Sequence, residues 1–167
     1  MKIKDVMTKD VITLSPDDTI LDASLKLSGK KISGAPVVDS DGKVIGIFSE
    51  ADVLKKLKIT SKTLKMIYPS LCSVCVSFQE EETERETIEA YKEVASMKVR
   101  DIMTTQVETV GPEGDVRDAI KKMVAKGINR LPVVDALGKS MGIITRGDIL
   151  RGIALESNNH NNNNIKK

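Results

Sequence analysis

The chain is an internal duplication, which limits what it can fold into more than any other feature of the sequence. Residues 5–55 align with residues 101–151 without a gap, and about two in five of the aligned positions are identical. The identical pairs include Met7/Met103, Pro16/Pro112, Asp22/Asp118, Pro36/Pro132, Gly46/Gly142 and Asp52/Asp148. A copy of about fifty residues is too small to bury an adequate core alone, so we expect the two copies to pack on each other as one domain.

Each copy predicts the same order of elements: strand, helix, strand, strand, helix. In the first copy we predict a strand at Val11–Leu14, a helix from Pro16 to Gly29, strands at Ala35–Asp39 and Val44–Phe48, and a helix through Val53, Leu54 and Leu57. In the second copy we predict a strand at Val107–Val110, a helix at Pro112–Lys126, strands at Leu131–Asp135 and Ser140–Ile144, and a helix from Arg146 to about Leu155. The sequence therefore predicts an α+β fold.

The first helix of each copy has a defined start and an apolar side. In the first copy Ser15 is a candidate N-cap and Pro16 a candidate first helical residue, which is a favourable start for a helix. The residues expected to face the core are Ile20, Leu21, Ala23, Leu25 and Leu27 in the first copy, and Val116, Ala119, Ile120, Met123 and Val124 in the second.

The turn from the last strand into the last helix of each copy carries a hydroxyl residue followed three positions later by aspartate. The pairs are Ser49 with Asp52, and Thr145 with Asp148. Such a pair is a helix capping box, which satisfies the free N–H groups of a helix N-terminus without any ligand. The same groups also suit an anionic or polyhydroxylic ligand, because helix N-termini favour negative charge and a carboxylate can bind a vicinal diol. The residues alone leave both interpretations open.

The composition is that of an ordinary cytosolic protein. The chain has 167 residues, of which 40% are hydrophobic and 30% charged. Two Phe, two Tyr and no Trp make surfaces for base stacking improbable, and a net charge of +2 gives no bulk reason to expect nucleic acid. No apolar run approaches the length of a membrane span. Two cysteines fit a reducing compartment, and we expect a cytoplasmic location.

We divide the chain into a first copy (1–57), an insert (58–97), a second copy (98–156) and a disordered Asn-rich tail (157–167). A run of lysines spans the start of the insert, and it is interpreted as a solvated face or, alternatively, as a contact for phosphate or nucleic acid. Its members are Lys55, Lys56, Lys58, Lys62 and Lys65. It ends in a helix with one face formed by Ile88, Tyr91, Val94 and Ala95. Cys72 and Cys75 are expected to be buried thiols, although a redox pair or a zinc site shared by a dimer is conceivable.

Catalytic motifs are missing from the sequence. There is no phosphate-binding Gly-Lys-Ser/Thr loop, and the chain has a single histidine, His160, in the Asn-rich tail. The sequence therefore predicts a protein that is not an enzyme and holds neither a metal nor a cofactor.

The motifs of the two copies resemble those of CBS domains, and the chain resembles a CBS-domain pair. The matching pieces are Val6-Met7-Thr8 and Ile102-Met103-Thr104, Ser15-Pro16 and Gly111-Pro112, the segments 32–39 and 128–135, and the closing Gly-x-x-Ser/Thr-x-x-Asp in each copy. The resemblance covers about two thirds of the chain and excludes the insert and the tail.

The resemblance implies a pseudo-two-fold module whose clefts hold adenosine-bearing ligands such as AMP, ADP, ATP or S-adenosylmethionine. In the family's pattern the aspartate binds the ribose hydroxyls and the Ser/Thr lies near the ribose and phosphate, while the first strand and the segment before the proline line the adenine. In the first copy this implies a site formed by Val11, Ile12, Thr13, Gly34, Ala35, Pro36, Ser49 and Asp52. In the second copy it implies a site formed by Val107, Thr109, Asn129, Arg130, Leu131, Pro132, Thr145, Arg146 and Asp148.

The two candidate sites differ in charge. Arg130 and Arg146 lie beside the second motif, whereas Gly34 and Glu50 hold the matching positions of the first. Since arginine binds phosphate bidentately, we expect phosphate-bearing ligands to prefer the site near Asp148. The resemblance further implies a homodimer that signals to a partner protein in trans. The alternative is a structural dimerisation module whose motifs are only helix caps.

Overall fold

The computed structural model describes residues 1–60, 85 and 88–164. Its helices are α1 (Ile3–Val6), α2 (Ile20–Gly29), α3 (Glu50–Thr60), α4 (residues 88–96), α5 (Val116–Lys126) and α6 (Arg146–Asn164). Its strands are β1 (Gly34–Val38), β2 (Val44–Ser49), β3 (Arg130–Val134) and β4 (Ser140–Thr145), and Val99–Asp101 form a short 3-10 helix. Strands β1 and β2 form one two-stranded sheet and β3 and β4 another, so the predicted α+β class is confirmed.

An aspartate and a glycine fix each of the two turns that join the predicted strands. Asp39 Oδ1 accepts the backbone N–H groups of Asp41 at 3.0 Å and Lys43 at 2.9 Å, and Gly42 has a φ of 80°. In the second copy Asp135 Oδ1 accepts from Leu137 at 2.8 Å and Lys139 at 2.9 Å, and Gly138 has a φ of 79°. Only glycine adopts this left-handed backbone without strain, so both turns depend on it.

The first predicted strand of each copy is wrong. Residues 11–13 and 107–109 have no regular secondary structure, and Val110 forms a single parallel bridge with Val133. The backbone N–H of Val107 bonds to the carbonyl of Thr105 at 3.0 Å, so it is used locally rather than in a ladder.

The helices of each copy that follow these segments begin later than predicted. Helix α2 begins at Ile20, since Thr19 is its N-cap and accepts the N–H of Asp22 at 3.1 Å. Residues 15–18 instead form a turn closed by a hydrogen bond from Asp18 N–H to the Ser15 carbonyl. Helix α5 likewise begins at Val116 with Asp115 as its N-cap, not at Pro112.

The described residues divide into two compact units that do not follow the boundaries of the copies. The first unit comprises Met1–Thr13, Ala35–Ile47 and the chain from Thr105, and the second comprises Leu14–Gly34 and the described part of Phe48–Thr104. The leading segment of each copy therefore lies in the same unit as most of the other copy.

The first unit contains α1, most of β1 and β2 with the turn between them, and the second copy from Thr105 onward. The N–H of Ile3 donates to the Gly114 carbonyl at 2.9 Å, and Thr8 pairs with Ile143 through two hydrogen bonds of 2.9 Å. Its core is formed by Ile3, Val116, Ala119, Met123, Leu131, Val133, Ile144 and Ile149.

In the second unit the leading segment of the second copy packs beside the start of α2. The N–H of Ile20 donates to the Met97 carbonyl at 2.9 Å, and the N–H of Val99 donates to the Asp18 carbonyl at 2.9 Å. Val99 and Ile20 are both fully buried.

Several residues predicted to face the core are exposed. Leu21 is 44% exposed, Leu25 63% and Val124 74%. Successive residues of a helix are rotated by about 100° about its axis. These three residues therefore lie away from the helix faces that carry the buried residues of α2 and α5. On α4 Val94 and Ala95 are buried as predicted, whereas Ile88 is 49% exposed.

Helix α6 is longer than predicted and runs to Asn164, through residues 157–164 for which we expected disorder. Extending an existing helix fixes one residue for each hydrogen bond gained, which costs far less than starting one. Residues 61–84 lie outside the described residues, and with them Lys62, Lys65, Cys72 and Cys75. No described helix has the length and apolar character that crossing a membrane requires.

Candidate functional site

The turn from β4 into α6 holds Thr145 and Asp148 in a reciprocal cap. The backbone N–H and the hydroxyl of Thr145 both donate to Oδ2 of Asp148, at 2.9 Å and 2.7 Å. The backbone N–H of Asp148 donates to Thr145 Oγ1 at 3.2 Å. The capping box predicted from the sequence is therefore formed, and it fixes the carboxylate at the N-terminus of α6.

Asp148 is the buried charge of this region. The residue is only 5% exposed, and its Oδ1 accepts a hydrogen bond from Nη2 of Arg151 at 2.6 Å. The Arg151 side chain is itself 68% exposed, so the ion pair joins a buried carboxylate to a cation at the surface. Burial of a carboxylate is costly unless donors surround it, and Thr145 and Arg151 supply them here.

Strand β3 lies beside this cap and brings the other predicted residues to it. Arg130 is the register partner of Thr145 in the antiparallel ladder. The carbonyl of Asn129 accepts the backbone N–H of Arg146 at 3.1 Å. Leu131 is fully buried, and Pro132 is buried as well.

The segment before α5 lies along the other side of β3. The N–H of Val110 donates to the Pro132 carbonyl at 3.1 Å, and the N–H of Val134 donates to the Val110 carbonyl at 2.9 Å. Val107 and Thr109 belong to this segment, which bonds to β3 through Val110.

Two lysines of α5 hold the same segment. Lys122 donates to the carbonyl of Thr109 at 2.9 Å, and both Lys122 and Lys126 pair with Glu108. The hydrogen bond from Lys126 is the main reason that the pKa of Glu108 lies below its usual value. These contacts fix the backbone of the segment at Glu108 and Thr109.

Arg146 is exposed, and its guanidinium lies near the backbone. Its Nη2 is 3.5 Å from the carbonyl of Ile128, a long and weak hydrogen bond. Arg151 contacts Asp148 through its guanidinium. The sequence did not single this residue out, because it aligns with a plain lysine, Lys55. The sequence did contain a signal for this contact, because residues three positions apart on a helix, such as Asp148 and Arg151, lie on the same face.

In the second unit Ser49 and Asp52 form the equivalent cap. The N–H and the hydroxyl of Ser49 both donate to Asp52 Oδ2 at 2.8 Å. The N–H of Glu50 donates to the Ser33 carbonyl at 3.1 Å, as Arg146 does to Asn129 in the second copy. Asp52 is half-buried and therefore more accessible than Asp148.

The remaining residues predicted for the first copy divide between the units. Gly34 is buried in the second unit, together with the Ser49 and Asp52 pair. The members that belong to the first unit are Val11, Ile12, Thr13, Ala35 and Pro36, of which Ala35 and Pro36 are buried.

The arrangement at Asp148 suits a ligand with hydroxyl groups and an anion. The carboxylate accepts O–H donors, and the start of α6 with nearby arginines favours negative charge. Within the described residues no three His, Cys, Asp or Glu side chains lie together as a metal site would require.

Comparison with known families gives two matches in this chain. The family model described as CBS domain matches residues 3–59 and again residues 99–155. Among curated proteins, the uncharacterised protein MJ1426 of Methanocaldococcus jannaschii is 38% identical over 154 residues, which cover 92% of this chain and 91% of that protein. The inosine-5'-monophosphate dehydrogenase of the same organism is 33% identical over 150 residues, but this chain spans 23% of its length.

Two crystal structures are similar over nearly the whole chain. CBSX2 of Arabidopsis thaliana in complex with AMP is 28% identical with a TM-score of 0.67, and the match covers 92% of this chain and 97% of that one. The CBS domain pair of protein MJ0100 in complex with 5'-methylthioadenosine and S-adenosyl-L-methionine is 25% identical with a TM-score of 0.67, and the match covers 92% of this chain and 99% of that one.

Proposed function

The chain belongs to the CBS domain family, and from this premise we propose that it is a regulatory module that binds an adenosine-type ligand and signals its binding to a partner protein. The resemblance seen in the sequence is thus confirmed at the level of the family. The ligands named for the two similar crystal structures are AMP, 5'-methylthioadenosine and S-adenosyl-L-methionine, which all contain adenosine. Their shared group is a ribose with an adenine, and this is the group we propose for the present chain.

The observation that carries the proposal is the buried carboxylate of Asp148 at the start of α6. Thr145 aims both of its donors at Oδ2, so the position of the carboxylate is fixed before any ligand arrives. A ribose diol that donates to it would contribute about 1.5–3 kcal/mol per charged hydrogen bond. That is a large share of the roughly 8 kcal/mol that corresponds to a micromolar complex.

We further propose that ligands with a phosphate prefer the second copy. Arg130, Arg146 and Arg151 surround Asp148 in sequence, whereas Gly34, Glu50 and Lys55 hold the matching positions around Asp52. Three arginines against one lysine and one glutamate favour an anion near Asp148. Binding of equal strength at both copies would contradict this asymmetry.

Signalling requires that the ligand bind two arrangements of the protein with different affinity. The proposed partner is a protein in trans, and we propose that the module is itself a homodimer and not an enzyme.

Leu54 and Leu150 occupy equivalent positions in the two copies and are 60% and 68% exposed. Exposed leucines at equivalent positions support association through these helices.

The test is calorimetric titration of AMP, ATP and S-adenosylmethionine into the wild type, Asp148→Ala and Asp52→Ala, with the unfolding temperature measured for each protein. We expect one ligand to bind with micromolar affinity, and Asp148→Ala to abolish that binding while the protein stays folded. Asp52→Ala is the matched control, because it removes the same cap from the other copy and should leave this binding in place.

A second candidate function follows from the cap geometry itself. Since Thr145 already satisfies Asp148 and Ser49 satisfies Asp52, both motifs can serve as helix caps in a purely structural dimerisation module. In that case no adenosine ligand binds, and each alanine substitution lowers the unfolding free energy by about 1 kcal/mol.

A further inference from the structure

We infer that Arg151 sets the ligand preference of the Asp148 site, so that phosphorylated adenosine ligands are favoured over neutral ones. The inference rests on the proposed function and adds to it a specificity-determining residue. Arg151 is not part of the site that the family resemblance implies.

The geometry leaves one oxygen of Asp148 for a ligand to share. Oδ2 accepts two hydrogen bonds from Thr145, at 2.7 Å and 2.9 Å. Oδ1 accepts one from Arg151 at 2.6 Å. A ribose diol that approaches this carboxylate from solvent therefore comes into contact with the guanidinium of Arg151.

The reach of Arg151 follows from its place on α6. It lies three residues after Asp148, which puts both side chains on the same face of the helix. Its side chain is 68% exposed while that of Asp148 is 6% exposed. The exposed guanidinium can therefore reach a ligand at the surface, whereas the carboxylate is held in place by Thr145.

Arg151 weakens the binding of a neutral nucleoside and strengthens the binding of a ligand with a phosphate. A neutral nucleoside competes with Arg151 for Oδ1 and offers the guanidinium no acceptor of comparable strength in return. A phosphate offers strong acceptors, and the five N–H donors of a guanidinium can bind it while the pair with the carboxylate is kept or exchanged. Arg151 thus selects for the phosphate and not for the base.

The first copy provides an internal reference. Lys55 aligns with Arg151, and in the described part of the chain no ion pair joins it to Asp52. Oδ2 of Asp52 accepts hydrogen bonds from the N–H and the hydroxyl of Ser49. A neutral diol would meet no competition from Lys55 there.

The experiment compares AMP with adenosine, which differ only in the phosphate, by calorimetric titration into the wild type, Arg151→Met and Arg151→Lys. We expect Arg151→Met to weaken AMP binding about tenfold, which corresponds to about 1.4 kcal/mol, and to leave adenosine binding unchanged or slightly tighter. Arg151→Lys keeps the charge but loses the planar donors of the guanidinium, so its affinity for AMP should lie between those of the wild type and Arg151→Met. Arg117→Met removes an exposed arginine that pairs with Asp115, and serves as the control that leaves the ratio of affinities unchanged.

The outcomes separate the inference from the proposed function. If AMP binds in an Asp148-dependent way but Arg151→Met weakens AMP and adenosine by the same factor, Arg151 only supports the fold and the inference is wrong. If neither ligand binds to the wild type, the proposed function fails and the inference fails with it. An unfolding temperature of Arg151→Met equal to that of the wild type shows that the change is local to the ligand.

Discussion

The carbonyl oxygen of Thr8 lies directly against the Cα of Gly142. A Cβ placed on Gly142 would be 2.5 Å from that oxygen and 3.3 Å from the sulfur of Met7. The close approach exists because Thr8 and the next residue of β4, Ile143, exchange two backbone hydrogen bonds of 2.9 Å. The leading segment is thus held to the second copy by backbone contact that only a residue without a side chain permits.

Gly142→Ala should therefore destabilise the protein. The obstacle is backbone and cannot swing aside, so we expect a loss of about 1–3 kcal/mol in the free energy of unfolding, as for other overpacked sites. Urea unfolding of the wild type and variant measures it. Gly29→Ala is the control, since a Cβ there meets nothing within 4 Å and the residue is helical. Equal stability of the two variants would contradict the close approach.

Thr145→Val should cost stability because it removes the hydroxyl that caps Asp148. The hydroxyl donates to Oδ2 at 2.7 Å and accepts the Asp148 N–H at 3.2 Å. Loss of such a cap costs about 1 kcal/mol, and more where a buried acceptor loses its donor. Thr145→Ser keeps the hydroxyl and should restore most of the stability. A denaturant midpoint of Thr145→Val equal to that of the wild type would show that the hydroxyl does not contribute to stability.

The pKa of Glu113 should report whether the leading segment is docked. Hydrogen bonds from Lys2 and then Lys4, at 2.6 Å and 2.7 Å, lower the pKa of Glu113 from 4.5 to about 2. A pKa that is lower in the folded state gives stability that is present above pH 4.5 and is lost as the pH falls toward 2. The side chains are exposed, so the effect is small and weakens with salt.

The test follows the Glu113 carboxyl by NMR during an acid titration. In the wild type its midpoint should lie near 2, and in the Lys2→Gln/Lys4→Gln double variant it should return toward 4.5. The single variant Lys4→Gln keeps the larger contribution, that of Lys2, and should fall between. An unchanged midpoint in the double variant would mean that the two lysines do not contact Glu113 in solution.

The parts of the fold that the sequence predicted are those that short-range rules determine. The two strand turns follow from an aspartate and a glycine at fixed spacing, and Gly42 and Gly138 do adopt the left-handed backbone. The start of α6 follows from the capping pair of Thr145 and Asp148. Each of these features depends on residues within four positions of one another.

The parts that were missed depend on contacts between distant residues. Whether Val107–Val110 forms a strand depends on its partner, and β3 bonds to it through Val110 alone among the described residues. The docking of the leading segments has no local pattern, since it joins Thr8 to Ile143. The contact of Arg151 with Asp148 depends on a side-chain conformation, which alignment with Lys55 does not show. The roles of the site residues stay predictions until ligands are titrated.

The last prediction concerns two adjacent residues of α5 that the sequence predicted to face the core and that differ in burial. Met123 is 2% exposed and lies in the core of the first unit, whereas Val124 is 74% exposed. We expect Met123→Ala to cost about 2–5 kcal/mol of unfolding free energy through the cavity it leaves. Val124→Ala should change it by less than about 0.5 kcal/mol and in the stabilising direction, since alanine is the better helix former. If urea unfolding gave the two substitutions similar costs, α5 would have to be turned so that Val124 also faces the core.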